Sequence, residues 1–299
     1  MEQAFSALRF GIDLGGTKTE GAILDADGRE LFRERVTTDP SSYATVLGGI
    51  DRVYRRMRVD AHEAPHTLGI GTPGAISPRT GLLKNSNTTC LNGMPLPRDL
   101  RTRLGRDLTI MNDANCFALA EALHGAGRSR RVVFGVIMGT GCGGGLVIDG
   151  RVHTGLQSIA GEWGHTSIDP NGPPCYCGSR GCVETYISGS GLERRHAELG
   201  GERLTAAEIV TGWRAGNARC GATMDEFFAR FGRAMANLIA VIDPDIVVLG
   251  GGLSNVDELY TRGVAELARC VFSDSLETPI VRNALGDSAG VIGAALVGI

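Results

Sequence analysis

Apolar positions along this chain fall into short runs that read as buried strands, cut by glycine-rich turns and alternating with stretches of helical spacing. The run Phe10-Gly-Ile-Asp-Leu14 ends past Asp13, turns through Gly15-Gly16-Thr17 and returns as a second strand over 20–25. Asp27-Gly28 then turns into a third strand over 30–36, a β-meander. The spacing predicts a helix over 43–57 with Ser41 or Ser42 as N-cap, and a short buried strand over 67–71. Residues 72–97 are rich in Gly, Pro and Asn and read as an irregular segment of the length that usually serves function. A helix over 98–104 and a strand over 108–111 lead into Asn112-Asp113-Ala-Asn115. There, Phe117, Leu119, Ala120 and Leu123 argue for a helix starting at Asp113.

The stretch 132–155 repeats the opening. A shift of 124 positions places Gly11 on Gly135, Gly15 on Gly139, Gly21 on Gly145 and Asp25 on Asp149. Both copies read as strand, Gly/Thr turn, strand. Two copies suggest duplicated halves facing each other across a cleft, as paired Gly-Thr hairpins clamp nucleotide phosphates. Further on, helices are expected over 206–215, 225–242, 257–270 and 289–297, with strands over 246–249 and 279–281. The strand at 246–249 runs into Gly250-Gly251-Gly252-Leu253-Ser254, a strand-to-glycine turn of the kind found at nucleotide-binding sheet edges.

Between these elements, 161–184 has almost no apolar periodicity but concentrates chemistry. His165, Cys175, Cys177 and Cys182 form a His-x9-Cys-x-Cys-x4-Cys pattern. Three thiolates and an imidazole satisfy tetrahedral zinc with no open position, so such a metal is structural. Gly178 and Gly181 suit a tight knuckle. The alternatives are unrelated residues or disulfides. Glu162, His165 and Glu184 stand at the ends of this loop, where a rigid frame could hold them toward a ligand.

Composition narrows the class. A chain of 299 residues can bury a substantial core as one large domain or two. The net charge of −3 gives no basic footprint for nucleic acid, and no run reaches the roughly 18 apolar residues of a membrane span. The N-terminus lacks the shape of a signal peptide. Cys90, Cys116, Cys220 and Cys270 are scattered and read as reduced thiols, so the expectation is a soluble cytoplasmic protein.

Asp13-Leu-Gly-Gly-Thr-Lys18, Asn112-Asp-Ala-Asn115, Met138-Gly-Thr-Gly-Cys-Gly-Gly-Gly145, Gly161-Glu-Trp-Gly-His165, the cysteine run with Glu184 behind it, and Gly250-Gly-Gly-Leu-Ser254 together resemble the ROK family of sugar kinases. That resemblance spans residues 11–290. It implies an α/β fold of duplicated actin-like ATPase (ribonuclease H-like) halves, with a cleft between two domains and a zinc-bound loop. The expected domains are 1–112 with 286–299, and 113–285, hinged near Asn112-Asp113 and over 285–290. The implied reaction is transfer of the ATP γ-phosphoryl to the 6-hydroxyl of a free hexose.

Spacing alone leaves Asp113 open between a helix N-cap and a general base; the resemblance makes it the base. By resemblance, Gly74, Asn87, Asn112, Asp113, Glu162, His165 and Glu184 grip the sugar. Gly15, Gly16, Thr17, Lys18, Gly139, Thr140 and Gly141 meet the phosphates, while Gly250, Gly251, Gly252 and Leu253 border the adenosine. Asp13 positions Mg²⁺ through water. His165 has one nitrogen on zinc and the other hydrogen-bonded. The implied partners are a hexose and ATP, with no nucleic acid or membrane, in a homodimer. The region from Lys84-Asn-Ser-Asn87 to Gly93, with Gly286-Asp-Ser-Ala-Gly290, looks most like fructokinases and manno(fructo)kinases, so fructose is the expected substrate with mannose beside it. Glucose and N-acetylglucosamine are the alternatives. Cys90 stands where family members commonly carry tryptophan, which alters one wall near the sugar. A sugar-responsive repressor is disfavoured, because the first strand begins about ten residues from Met1, with no helix-turn-helix ahead of it.

Overall fold

A computed structural model describes residues 8–298. The residues before Leu8, part of the stretch read for a signal peptide, and Ile299 lie outside the described residues. The chain forms β1 (Leu8–Leu14), β2 (Lys18–Leu24), β3 (Glu30–Thr37), α1 (Tyr43–Asp60), β4 (His66–Thr72), β5 (Ala75–Ile76) and β6 (Leu83–Lys84). It continues through α2 (Leu96–Leu104), β7 (Thr109–Asn112), α3 (Asp113–Leu123), β8 (Val132–Met138), β9 (Cys142–Ile148) and β10 (Arg151–Val152). Then follow α4 (Glu184–Ile187), α5 (Gly189–Glu198), α6 (Ala206–Arg214), α7 (Ala218–Ile242), β11 (Ile246–Gly250), α8 (Arg262–Cys270), β12 (Ile280–Arg282) and α9 (Ala289–Val297).

The chain divides into two compact units. Unit 1 runs through His124 and adds Arg151–Ala160 and the chain from Leu285; unit 2 holds Gly125–Gly150 and Gly161–Ala284.

Unit 1 is a sheet in the order β3-β2-β1-β4-β7, antiparallel across the meander and parallel from β1 through β4 to β7. Phe10, Ile12, Leu68 and Ile70 send their side chains into one core with Val46, Ile50, Val53 and Met57 of α1. The C-terminal helix α9 returns to this sheet, and its approach explains two glycines. A Cβ at Gly69 would collide with the carbonyl of Ala294, and one at Gly11 with the backbone of Val291 and Ala295. The small residues of α9 (Ala-Gly-Val-Ile-Gly-Ala-Ala) complete that fit.

Unit 2 orders its strands β9-β8-β11-β12, with β8, β11 and β12 parallel and the β8–β9 hairpin antiparallel. Its core joins Phe134, Val136, Val247 and Leu249 to Met224, Phe227, Phe228 and Phe231 of α7.

Three expectations need correction. Residues 72–97 are not wholly irregular, since β5 and β6 pair as a small hairpin. Helix α7 begins two turns before 225, because Asn217 caps it by accepting from the N–H groups of Arg219 and Cys220. The expected helix over 257–270 is broken. Asp257–Tyr260 is a 3₁₀ turn and α8 starts afresh after Thr261, whose φ of −118° does not continue a helix.

Candidate active site

In unit 1, β1 delivers Asp13 to its C-terminal end, next to the Gly15-Gly16-Thr17 turn that the Gly15 N–H closes onto the Lys18 carbonyl at 2.8 Å. Gly16 and Thr17 are exposed there. Burial, with the carboxylates of Asp113 and Glu20 nearby, pushes Asp13 up to about 7, against the opposing pull of Lys18 and Arg35. A carboxylate so placed favours a cation, and this donor environment fits the expected magnesium.

At the start of helix α3 the cap is not Asp113. The N-cap is Asn112, whose Oδ1 accepts from the N–H groups of Ala114 at 3.0 Å and Asn115 at 3.2 Å. Asp113 is the first helical residue, its Oδ1 accepting from the Ala114 N–H at 2.8 Å. Capping contributes about 1 kcal/mol and is supplied without Asp113 acting as the cap. Asn112 also donates from Nδ2 to the Gly74 carbonyl at 3.2 Å, which ties the 72–87 segment to the end of β7. Asn87 is exposed, just past Ser86, which Asn92 fixes through two hydrogen bonds. Cys90 packs against the core of unit 1.

Sequence reasoning missed Glu20. It is buried opposite Asp13 across the β1–β2 ladder and is held by Arg33 at 3.1 Å and Arg35 at 2.7 Å from β3. The signal was available, since Glu20 lies inside Gly-Gly-Thr-Lys-Thr-Glu and two arginines recur at period two in β3.

In unit 2, the Gly139-Thr140-Gly141 turn joins β8 to β9. The start of α5 grips it: the Gly189 N–H donates to the Gly139 carbonyl at 2.7 Å, and Ser190 Oγ to that of Thr140 at 2.7 Å. Gly139 and Thr140 line a cavity of about 590 Å³ together with Gly252, Leu253, Ala206, Ala207 and Val210. That volume and the apolar α6 wall suit a nucleoside-sized ligand. The sequence reading found the glycine edge of this cavity but not Ala206, Ala207 and Val210. They carry no chemistry, and only packing brings α6 to the turn. Gly250 and Gly251 do not line it; Gly251 instead lies against the Met138 backbone and accepts at its carbonyl from Ser254 Oγ at 2.7 Å.

The cysteine loop converges as its spacing suggests. The ligand atoms of His165, Cys175, Cys177 and Cys182 all lie within 4.8 Å of one another. His165 Nδ1 is 3.6 Å from Cys175 Sγ, and Cys177 Sγ is 3.6 Å from Cys182 Sγ. Tetrahedral zinc with bonds of about 2.0–2.3 Å separates its donors by similar distances, so this set fits the metal. Desolvation raises the Cys177 thiol, but hydrogen bonds from Ser179 and the neighbouring thiols together outweigh it and bring Cys177 down to about 7, toward the thiolate a metal requires.

Trp163 anchors the 3₁₀ turn that carries His165, its indole N–H donating to the Gly143 carbonyl at 3.1 Å. Glu162 immediately precedes that turn. Glu184 opens α4, and its Oε2 accepts from the Cys142 N–H at 2.9 Å. One carboxylate of the metal loop is therefore fastened to the residue directly after the Gly-Thr turn. Among the described residues no helix is long and apolar enough to cross a membrane.

The ROK family model matches residues 9–298. The chain belongs to the ROK family. An N-acetyl-D-glucosamine kinase of Pasteurella multocida is 38% identical over 300 residues, covering 96% of this chain and 98% of that protein. The crystal structure of a ROK hexokinase from Thermus thermophilus superposes with a TM-score of 0.87 at 32% identity, covering 97% of both chains. A ROK glucokinase from Streptomyces griseus, solved in complex with glucose and AMPPNP, gives 0.80 at 27% identity, covering 97% of this chain and 99% of that one.

Proposed function

We propose that this ROK protein is an ATP-dependent hexose kinase acting on the 6-hydroxyl of its sugar, with Asp113 as general base and N-acetylglucosamine as the preferred substrate. The observation that carries the reading is the cap of α3: Asn112 takes the structural duty, and Asp113 stands beside it as a carboxylate at a helix start. A sugar hydroxyl is a poor nucleophile, and a carboxylate within hydrogen-bond reach accepts its proton as the phosphoryl group leaves the nucleotide.

Within unit 1, Asn112, Asp113, Gly74 and Asn87 are the sugar-binding candidates; within unit 2 they are Glu162, His165 and Glu184. Gly16, Thr17 and Lys18 in unit 1 and Thr140 and Gly141 in unit 2 would offer N–H groups, hydroxyls and an ammonium to phosphate oxygens, while the N–H groups of Gly15 and Gly139 close their turns onto the carbonyls of Lys18 and Gly141. Gly252, Leu253 and the α6 wall would take the nucleoside. Magnesium, when bound, neutralises phosphate charge, and Asp13 would hold it through water. Zinc on His165 and the three cysteines would keep the loop rigid.

The sugar is where the reading departs from the sequence expectation. Fructose gains no support, whereas N-acetylglucosamine, one of the alternatives, is named for the Pasteurella relative over nearly its whole length. An ADP-release assay with ATP and Mg²⁺ across N-acetylglucosamine, glucose, mannose and fructose tests this. The expected order puts N-acetylglucosamine first in kcat/KM. Fructose ranking first would restore the original expectation, and no sugar-dependent ADP release from any of the four would refute the kinase reading.

A further inference from the structure

Tyr176 lies between two of the metal-loop cysteines, and the residue is 70% exposed. Its hydroxyl, however, is turned inward, 3.0 Å from His165 Nε2, with the two rings edge to face at 5.1 Å. His165 turns Nδ1 toward the thiols, so with a metal on Nδ1 the proton sits on Nε2 and is donated to the Tyr176 oxygen. The Tyr176 proton is then left to donate onward. Tyr176 therefore stands against His165, whose 3₁₀ turn Glu162 precedes. It occupies the position on His165 Nε2 that a ligand hydroxyl would otherwise take, and it presents a bare aromatic face beside that ring.

We infer that Tyr176 is a specificity-determining residue of the sugar site, its exposed ring packing against the acyl methyl of a 2-acetamido hexose. This rests on the kinase reading and deepens it. A plain hexose offers only hydroxyls around C2, and those find His165 Nε2 already engaged. An acetamido group instead brings a methyl for the ring and a carbonyl that can accept the outward proton of the Tyr176 hydroxyl. An apolar contact of one methyl group discriminates by about 10- to 200-fold in such sites.

The test compares kcat/KM for N-acetylglucosamine over glucose in the wild type, Tyr176→Phe and Tyr176→Ala, with zinc content measured in each. Tyr176→Ala is expected to lower that ratio about tenfold or more, through the KM for N-acetylglucosamine, while Tyr176→Phe keeps most of it because the ring remains. An unchanged ratio in Tyr176→Ala at full zinc content overturns the inference, and so does a loss in Tyr176→Phe as large as in Tyr176→Ala. If Tyr176→Ala loses zinc, the wild type decides by itself. Selective saturation of tyrosine ring protons in NMR should transfer to the acetyl methyl of bound N-acetylglucosamine, and absence of transfer overturns the inference. Failure of the kinase reading looks different: the wild type then releases no ADP with either sugar.

Discussion

The two Gly-Thr hairpins share a plan and differ by one residue in register. Shifted by 124 positions, β1 (Leu8–Leu14) falls on β8 (Val132–Met138) and β2 (Lys18–Leu24) on β9 (Cys142–Ile148), end for end. In the second hairpin Ile137 lies opposite Gly143, which transposes to Asp13 opposite Thr19. The actual partner of Asp13 is Glu20. A one-residue slip changes which side chains share a face of the ladder, and here it sets two carboxylates side by side, with Arg33 and Arg35 holding the second. The position matching Glu20 is Gly144, where a Cβ would come within 2.6 Å of Trp163 and 2.8 Å of Phe134. The first hairpin thus gathers charge. The second gives up its side chain to admit the tryptophan that anchors the metal loop. Duplicated backbone has been put to electrostatic use in one unit and to packing the cysteine loop in the other.

If unit 1 supplies the charges of the reaction, the largest effect belongs there. Asp113→Asn keeps the shape of the side chain and an acceptor, but it cannot take a proton. It should lower kcat by about 10²–10⁴-fold with little change in the KM for sugar or nucleotide. Steady-state kinetics on folded protein check this, and near-normal turnover would reject Asp113 as the base.

The proposed binding role of the second hairpin predicts a smaller effect of another kind. A Cβ at Gly141 would lie 2.5 Å from Glu184 Oε2, the oxygen that accepts from the Cys142 N–H. In Gly141→Ala the flexible carboxylate has to move, which breaks a charge-assisted hydrogen bond worth about 1.5–3 kcal/mol. The KM for the sugar should rise about tenfold while zinc content is unchanged. A sugar KM that does not move would show that the tether between the metal loop and the Gly-Thr turn has no bearing on binding.

What could be read from the sequence follows from where the information lies. The hairpins were legible because their glycines and the return of each apolar run are local signals. The convergence of His165 with the three cysteines was legible because four residues of two scarce ligand types crowd one short loop. Asn112 as the cap was not, since Asn and Asp are both good caps and only the backbone shows which one takes non-helical dihedrals. The register slip was hidden as well. A shift of 124 aligns the strand ends perfectly, and pairing across a turn is set by the turn's hydrogen bonds, not by strand length. Ala206, Ala207 and Val210 carried no signal because their role depends entirely on packing between distant elements.

The smallest expected effect concerns a third difference between the copies. Phe10 and Phe134 are equivalent under the same shift, but Phe134 meets Trp163 edge-on whereas Phe10 stacks on His66 at 3.8 Å between centroids. His66 donates from Nδ1 to the Ala64 carbonyl at 2.7 Å, while Nε2 faces Arg106 and the Tyr54 hydroxyl. Burial lowers its pKa below the ordinary 6.5; Arg106 and Arg58 lower it further, and the Ala64 carbonyl and Glu63 oppose them. A histidine whose folded pKa is depressed favours the fold in its neutral form. Its contribution is therefore complete above about 6.5 and is lost as pH falls through that value toward the lower folded one. Nothing in the Phe134–Trp163 contact titrates. Hydrogen exchange, corrected for intrinsic rates and compared at about pH 7.5 and about pH 5.5, should show β1 and β4 losing protection more than β8 and β11. His66→Gln keeps an acceptor for Arg106 without a titrating ring, and it should remove that difference. Equal loss in both hairpins, or a difference that survives His66→Gln, would mean that the acid sensitivity has another origin and that this pair of equivalent phenylalanines does not distinguish the two halves.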